Sequence, residues 1–353
     1  MIEALIDRYG EGTLLMAAGG ITGVFFGLAA QHSRFCLRAA TVELSEGGFG
    51  PRLPIWLIAF SAAVFCVQVL ISIDLMDLSD ARQLAATGSM SGAVIGGLMF
   101  GAGMILARGC ASRLLVLSAT GNLRAILTGL VLTLVAQASL RGALAPAREW
   151  LSGLWLVSGG EARDLLSLLS VEAGTAAIAA AVALVSAFIL ASRAGVQASR
   201  SVAAALVGCA VALGWFLTWL ISQASFEVVP VSSVTFTGPS TDTLMGLVNA
   251  SELPLSFGVG LVPGVFVGAG AMALVTREAR IERFGPDAPM ERYMIGAVLM
   301  GFGSMLAGGC AVGAGMTGGS IFAVTAWVAV FFMWIGAMTT HRLMQVRLEG
   351  QAA

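Results

Sequence analysis

The residues with the widest chemical range in this 353-residue sequence are five cysteines, Cys36, Cys66, Cys110, Cys209 and Cys310. Three of them share a context. Cys36 lies in FCLRAA, Cys110 in ARGCASR and Cys310 in GGCAVGAG, each just beyond an apolar stretch and among small or basic neighbours. A helix that starts at such a point turns free N–H groups and a partial positive charge toward the cysteine, and both attract anions. The thiol adds a soft, polarisable surface with a weak donor, which suits a sulfur-containing anion better than a hard oxyanion. Gly109 and Gly309 directly precede Cys110 and Cys310. Glycine there permits positive φ and close backbone approach to a ligand. Cys36, Cys110, Cys310, Gly109 and Gly309 are therefore the expected substrate-binding residues. Cys66 in AVFCVQV and Cys209 in LVGCAVA sit inside apolar runs and read as small hydrophobes.

Several chemistries are excluded by the same inventory. The cysteine count is odd, the spacings are long and no C-x-x-C occurs, which argues against a disulfide framework, a zinc site or a thioredoxin-like motif. All 19 basic residues are arginine, so Schiff-base and Walker-type lysine chemistry are absent. His32 beside Gln31 reads as an interfacial polar residue, and no Asp or Glu is conspicuous in the apolar stretches to serve a proton or sodium relay. Arg34 and Arg38 bracket Cys36, and Arg108 and Arg113 bracket Cys110. They anchor topology, and they also suit drawing an anion inward or lowering a thiol pKa. No catalytic residue, metal site or cofactor is expected, and a net charge of −1 gives no field for nucleic acid.

These cysteines must be positioned by elements that live in a bilayer. Hydrophobic residues make up 58% of the chain and charged residues only 11%, with a mean hydropathy of +0.90, too little polar surface for a water-soluble particle. The expected fold is an all-α polytopic membrane protein. Nine spans are predicted: Gly12–Gln31, Leu53–Ile73, Met90–Ala107, Leu123–Leu140, Gly174–Ala191, Ser201–Ile221, Leu255–Val275, Tyr293–Gly308 and Ile321–Met338. The first runs on as a full span and has no mark of a cleavable signal. With the N-terminus outside, fourteen arginines fall inside and five outside, so the prediction is N-outside and C-inside. The long loops Arg141–Ala173 and Ser222–Pro254 leave room for short amphipathic pieces at most. ASRLLVLSATGN after Cys110 and AVGAGMTGGS after Cys310 are too short to cross and read as re-entrant segments, with irregular backbone covered by protein or water.

A repeat underlies the pattern. Ile95–Cys110 and Ile295–Cys310 match at eight of sixteen positions with an offset of 200 residues, including Gly96/Gly296, Gly103/Gly303, Gly109/Gly309 and Cys110/Cys310. Spans one to four then map onto six to nine. The single membrane domain, 1–353, divides into a first repeat (1–140), a connector with one span (141–200), a second repeat (201–340) and a cytoplasmic tail (341–353). A shift of five spans inverts the second copy, and inverted repeats put a substrate path at their interface. Gly23, Phe26 and Gly27 precede Cys36 as Gly97, Phe100 and Gly101 precede Cys110, so Cys36 leads a third such element. Its offset partner is Phe236, where the duplication is incomplete.

Three ordered cysteine motifs on a nine-span, glycine-rich chain resemble the YeeE/YedE family of bacterial inner-membrane proteins, over essentially the whole chain. The resemblance implies thiosulfate uptake across the inner membrane by an hourglass-shaped protein. Its re-entrant cysteines, here Cys36, Cys110 and Cys310, would pass the anion along through S–H···S contacts at a central constriction. Relatives handle other sulfur or selenium compounds, so the cargo stays open. No fused sulfur-carrier domain is present, so a cytosolic carrier would be a separate protein. Two rivals remain. A membrane sulfurtransferase or thiol oxidoreductase would use the same cysteines, and needs a paired thiol that the spacing does not reveal. A soft-metal transporter would need clustered Met or His/Cys runs, which are absent.

Overall fold

The computed structural model describes residues 2–249, 254–283 and 289–352. Its first half holds α1 (Ile2–Tyr9), α2 (Glu11–Ser33), α3 (Leu37–Ser45), α4 (Arg52–Ser72), α5 (Arg82–Ala85), α6 (Met90–Leu106), α7 (Ala111–Ala119) and α8 (Leu123–Arg141). Then come α9 (Ala145–Gly153), α10 (Leu165–Leu169), α11 (Ala173–Arg193), α12 (Ala198–Ala224), α13 (Thr237–Asn249), α14 (Phe257–Val275), α15 (Met290–Leu306) and α16 (Val324–Ala352). A π-helical turn covers Gly313–Gly318, and two-residue strands β1 (Gly88–Ser89) and β2 (Leu156–Val157) pair antiparallel. The protein is thus an all-α polytopic membrane protein with one minimal hairpin-like clip.

All nine predicted spans fall on helices: α2, α4, α6, α8, α11, α12, α14, α15 and α16. Among the described residues, eight apolar segments reach spanning length, while α15 has 17 residues and does not. α6 by itself also has 17. Such a helix covers about 26 Å, short of about 30 Å of hydrocarbon, so the cysteine turns after α6 and α15 begin before a full crossing is made. The loop Ser222–Pro254 holds one short piece, α13, thirteen residues long, and α16 continues as helix past Met338 through Ala352.

Glycines decide how closely these helices approach. Gly19, Gly23 and Gly27 of α2 lie against the Phe257, Leu261 and Val265 carbonyls of α14, while Gly260, Gly264 and Gly268 lie against the Met16, Gly20 and Val24 carbonyls. A β-carbon at Gly23 would stand 2.4 Å from the Leu261 oxygen, so any larger residue forces the pair apart. The α6–α15 contact is reciprocal. Gly96 abuts the Gly303 oxygen and Ala307, and Gly296 abuts the Gly103 oxygen and Ala107. α12 packs on α4 as α2 packs on α14, and α15 packs on α8 as α6 packs on α16. α11 stands outside this set, with Ala176, Ala180, Ala187 and Ala191 buried while Ile178, Val182, Val185 and Ile189 form an exposed apolar stripe.

Side-chain contacts between distant segments sort into two ends of the bundle. At one, Arg34 and Gln31 bind Glu278 at 2.6 and 2.8 Å, and the Asn122 amide donates to Glu282 at 2.6 Å. At the other, Ser225 meets Glu11, Ser91 donates to the Leu151 carbonyl at 2.7 Å, and Arg163 donates to Thr325 at 2.7 Å. Successive crossings in opposite directions produce this segregation.

Candidate functional site

Three times the chain ends one helix and starts the next through the same turn. The N–H groups of Phe35, Gly109 and Gly309 bond back to the carbonyls of Ala30, Met104 and Ser304 at 3.3, 3.1 and 2.9 Å. The residue before each, Arg34, Arg108 or Gly308, is left-handed, with φ of 55°, 55° and 77°. This is a Schellman cap, which satisfies the last helical carbonyls. A cysteine follows each time. The carbonyls of Cys36, Cys110 and Cys310 accept the first bond of the next turn from Ala40, Leu114 and Ala314, at 3.3, 2.9 and 2.8 Å. Cys36 and Cys110 cap α3 and α7, and Cys310 leads toward the π-helical turn.

The reason for glycine at 109 and 309 differs from expectation. Positive φ falls one residue earlier, at Arg108 and Gly308, because the left-handed cap residue precedes the cysteine by two. Close approach separates the two glycines. A β-carbon at Gly309 would lie 2.8 Å from the Ala314 nitrogen, whereas at Gly109 the nearest atom is Leu114 Cδ2 at 3.4 Å. Glycine is demanded at 309 and merely accommodated at 109.

The structure joins two of the three expected thiols. The Cys36 and Cys110 side chains come close enough to act on one another electrostatically, and Cys110 Sγ lies 3.3 Å from Ser112 Oγ. Arg38 and Arg113 stand beside Cys36, and Arg38 Nε and Arg113 Nη1 are buried with no hydrogen-bond partner in the protein. Glu278 stands nearby on Arg34, whose guanidinium holds that carboxyl below the ordinary carboxylate range, with Gln31 adding a donor. Cys110 and Cys310 are each only 1% exposed, and Cys36 is half-buried.

Cys310 belongs to the opposite end. Gly313 N–H donates to its sulfur at 3.4 Å, and Gly313 is pressed against Thr235. Because α6 and α15 run antiparallel with Ala107 against Gly296 and Ala307 against Gly96, about 16 Å of packed helix separates the two cysteine turns. Gly308 and Gly309 wall a cleft of about 460 Å³.

Two further arrangements emerge, of which the offset of 200 residues points to the first. Phe236 opens α13 as Cys36 opens α3, its carbonyl accepting from Ser240 at 2.9 Å, and its ring packs on Phe26 with centroids 5.1 Å apart. A helix thus starts at Phe236 as one does at Cys36, with an aromatic ring in place of a thiol. Cys66 and Cys209, read as isolated hydrophobes, have sulfurs 3.7 Å apart across α4 and α12. Close thiol pairs therefore exist despite spacings that hide them. Among the described residues no three His, Cys, Asp or Glu side chains are grouped to hold a metal ion.

Known proteins resemble this chain over most of its length. Residues 32–339 match a protein family described as "Sulphur transport". The chain is 26% identical to the thiosulfate transporter TsuA of Escherichia coli, with 96% of this chain and 97% of that protein covered. It is 27% identical to the TsuA of Spirochaeta thermophila, covering 91% of this chain and 96% of that protein.

Proposed function

The chain belongs to the sulphur-transport family, and we propose that it carries thiosulfate inward across the bacterial inner membrane, with Cys36, Cys110 and Cys310 as successive waypoints. The single observation that carries this reading is the cysteine-led turn built three times, with one copy at the end opposite the other two. An anion approaching the first turn meets Cys310, and one leaving meets Cys110 and Cys36.

A dianion resists entering a low-dielectric constriction. Free helix N–H groups, thiol donors and the unpartnered Arg38 and Arg113 atoms offset part of that cost. Thiols are weak donors, so the anion is held loosely enough to leave again, and weak sites in series favour passage over trapping. No covalent bond to the cargo is made or broken, so the chain acts as a transporter and not as an enzyme. In this reading, residues 1–140 and 201–340 are inverted repeats joined by 141–200, the N-terminus is periplasmic and the C-terminus cytoplasmic. A separate cytosolic sulfur-carrier protein receives the product.

A second reading draws support from the Cys36–Cys110 contact, since a thiol oxidoreductase or sulfurtransferase needs such a pair. Uptake of labelled thiosulfate by cells that depend on this protein tests the first, with sulfate and selenite as competitors. Label delivered intact supports transport. A persulfide trapped on Cys110 during turnover, with no intact thiosulfate inside, supports the second.

A further inference from the structure

Behind the Cys110 turn lies a groove that none of the five cysteines lines. α7 and α13 each pack against α8 and α14, and between them remains a cavity of about 360 Å³. Leu114 and Leu115 of α7, Gly129 of α8, Leu244 of α13 and Phe266 of α14 are among its walls, together with Phe236, and no lining residue carries a charge. Three of its hydroxyls are already satisfied: Ser118, Thr133 and Thr243 donate to the Leu114, Gly129 and Pro239 carbonyls of their own helices, at 2.7, 2.9 and 2.7 Å. The rim is apolar and open. Leu130, Leu247 and Phe266 are 43%, 70% and 45% exposed, and Leu127 and Leu134 extend the same face along α8. Because α8 and α14 are of spanning length, that face meets hydrocarbon and the groove opens sideways into the bilayer. Gly129 marks its emptiest point. A β-carbon there would meet nothing within 4 Å, whereas Gly23 and Gly96 press on carbonyls of neighbouring helices.

An apolar cavity of about 150 Å³ holds a benzene ring, so one of about 360 Å³ takes about a dozen carbons. A groove of that size, uncharged and open to lipid, fits a hydrocarbon chain and offers nothing to a headgroup. We propose that it is a binding site for one acyl chain of a bilayer phospholipid, and that the bound chain supports α7 from behind. The chain packs on Leu114, whose N–H closes the first turn on the Cys110 carbonyl at 2.9 Å, and on Phe236, the residue that opens α13. Its presence therefore sets how firmly the Cys110 turn is held, whatever cargo passes. A groove of the same size stands behind the Cys310 turn. It too measures about 360 Å³ and has no charged lining, and Gly315 and Val330 in its walls lie 200 residues after Leu115 and Leu130. There Trp56 stacks on Phe60 at 5.2 Å and rings form much of the wall, so the groove with Gly129 gives the cleaner test.

Native mass spectrometry of the purified full chain, which counts retained lipids, tests the assignment beside thermal melts. The probes are dioleoyl-phosphatidylethanolamine, dioleoyl-phosphatidylglycerol and dihexanoyl-phosphatidylethanolamine. Added to delipidated protein, the two dioleoyl lipids should bind within about twofold of one another and raise Tm, because the chain and not the headgroup is held. The dihexanoyl lipid should do neither. Gly129→Phe and Gly129→Leu fill the groove, so each should retain one lipid fewer than wild type. After delipidation both should melt above wild type, a direction that structural damage does not produce. Gly129→Ala gains helix propensity alone and should keep the wild-type lipid count. Maleimide labelling of Cys110 should rise when wild type is delipidated and stay low in Gly129→Phe. An unchanged lipid count in both filling variants, or dihexanoyl lipid binding as tightly as dioleoyl, overturns the acyl-chain site. A wild-type dimer that Gly129→Phe splits into monomers assigns the groove to a second copy and overturns it as well. Cys110 labelling indifferent to delipidation overturns the support of α7.

Discussion

The sulfur atoms of Cys66 and Cys209 lie 3.7 Å apart, linking α4 to α12 across 143 residues of sequence. A disulfide requires about 2.05 Å, so closure needs movement of under about 2 Å. Oxidation with copper–phenanthroline in membranes should protect Cys66 and Cys209 from maleimide labelling and yield a joined Cys66–Cys209 peptide. The Cys66→Ala variant should keep Cys209 open to labelling and give no joined peptide. Cys66 and Cys209 both still labelled after oxidation would mean the two helices hold their sulfurs apart.

That contact is packing as far as thiosulfate is concerned, since the pair lies within two apolar helices away from the three cysteine turns. Cys66→Ala and Cys209→Ala should each import thiosulfate at near wild-type rates. A loss as deep as that of Cys110→Ala, at equal protein level, would move this pair onto the path.

Cys110→Ala and Cys310→Ala change little volume, so expression and Tm should stay near wild type while uptake falls sharply in both. Serine keeps a donor of similar size and loses softness. Ser variants that transport well would assign the role to hydrogen bonding, and inactive ones to polarisability. Near-normal uptake by either Ala variant would eliminate a thiol relay. Cys36→Ala should hurt less, because Cys110 remains beside it at the same end.

Gly309→Ala and Gly109→Ala separate two look-alike positions. The first brings a β-carbon within 2.8 Å of the Ala314 nitrogen and should lower stability by about 1–3 kcal/mol, with uptake lost. At 109 the nearest atom is a leucine methyl at 3.4 Å, so stability should change by less than about 1 kcal/mol. Equal thermal melts for the two variants would contradict this packing.

Glu278 gives a pH signature. Arg34 lowers its carboxyl in the folded state, so the ion pair contributes stability above the unfolded carboxylate pKa, and that contribution disappears as pH falls through the lower folded value. The Glu278 side chain is 34% exposed, which limits the effect to under about 1 kcal/mol. Glu278→Gln should therefore melt below wild type at pH 7 and converge with it by about pH 3. A gap that stays constant over that range would assign the loss to hydrogen bonding alone.

Much was legible in the chain itself. Hydropathy and arginine spacing located nine helices, because a bilayer imposes a length and a polarity on every crossing. The 200-residue offset exposed the Gly96/Gly296 and Gly103/Gly303 pairs, because a helix contact that presses a carbonyl onto a Cα tolerates nothing larger than glycine. The cysteine motifs were visible as short strings for a similar local reason, since a helix end, a left-handed residue and a helix start occupy consecutive positions.

Tertiary structure decided which of these elements meet. Cys66 with Cys209, Cys36 with Cys110, and Arg82 with Arg148 at one cleft each join segments whose separation carries no periodic signal. The 200-residue offset from Cys36 points to Phe236, but only the fold shows its carbonyl opening a helix as that of Cys36 does. Local turns follow from local sterics, whereas the pairing of distant side chains depends on how closely and at what angle the glycine-lined helices cross, and that is set by the whole packed bundle.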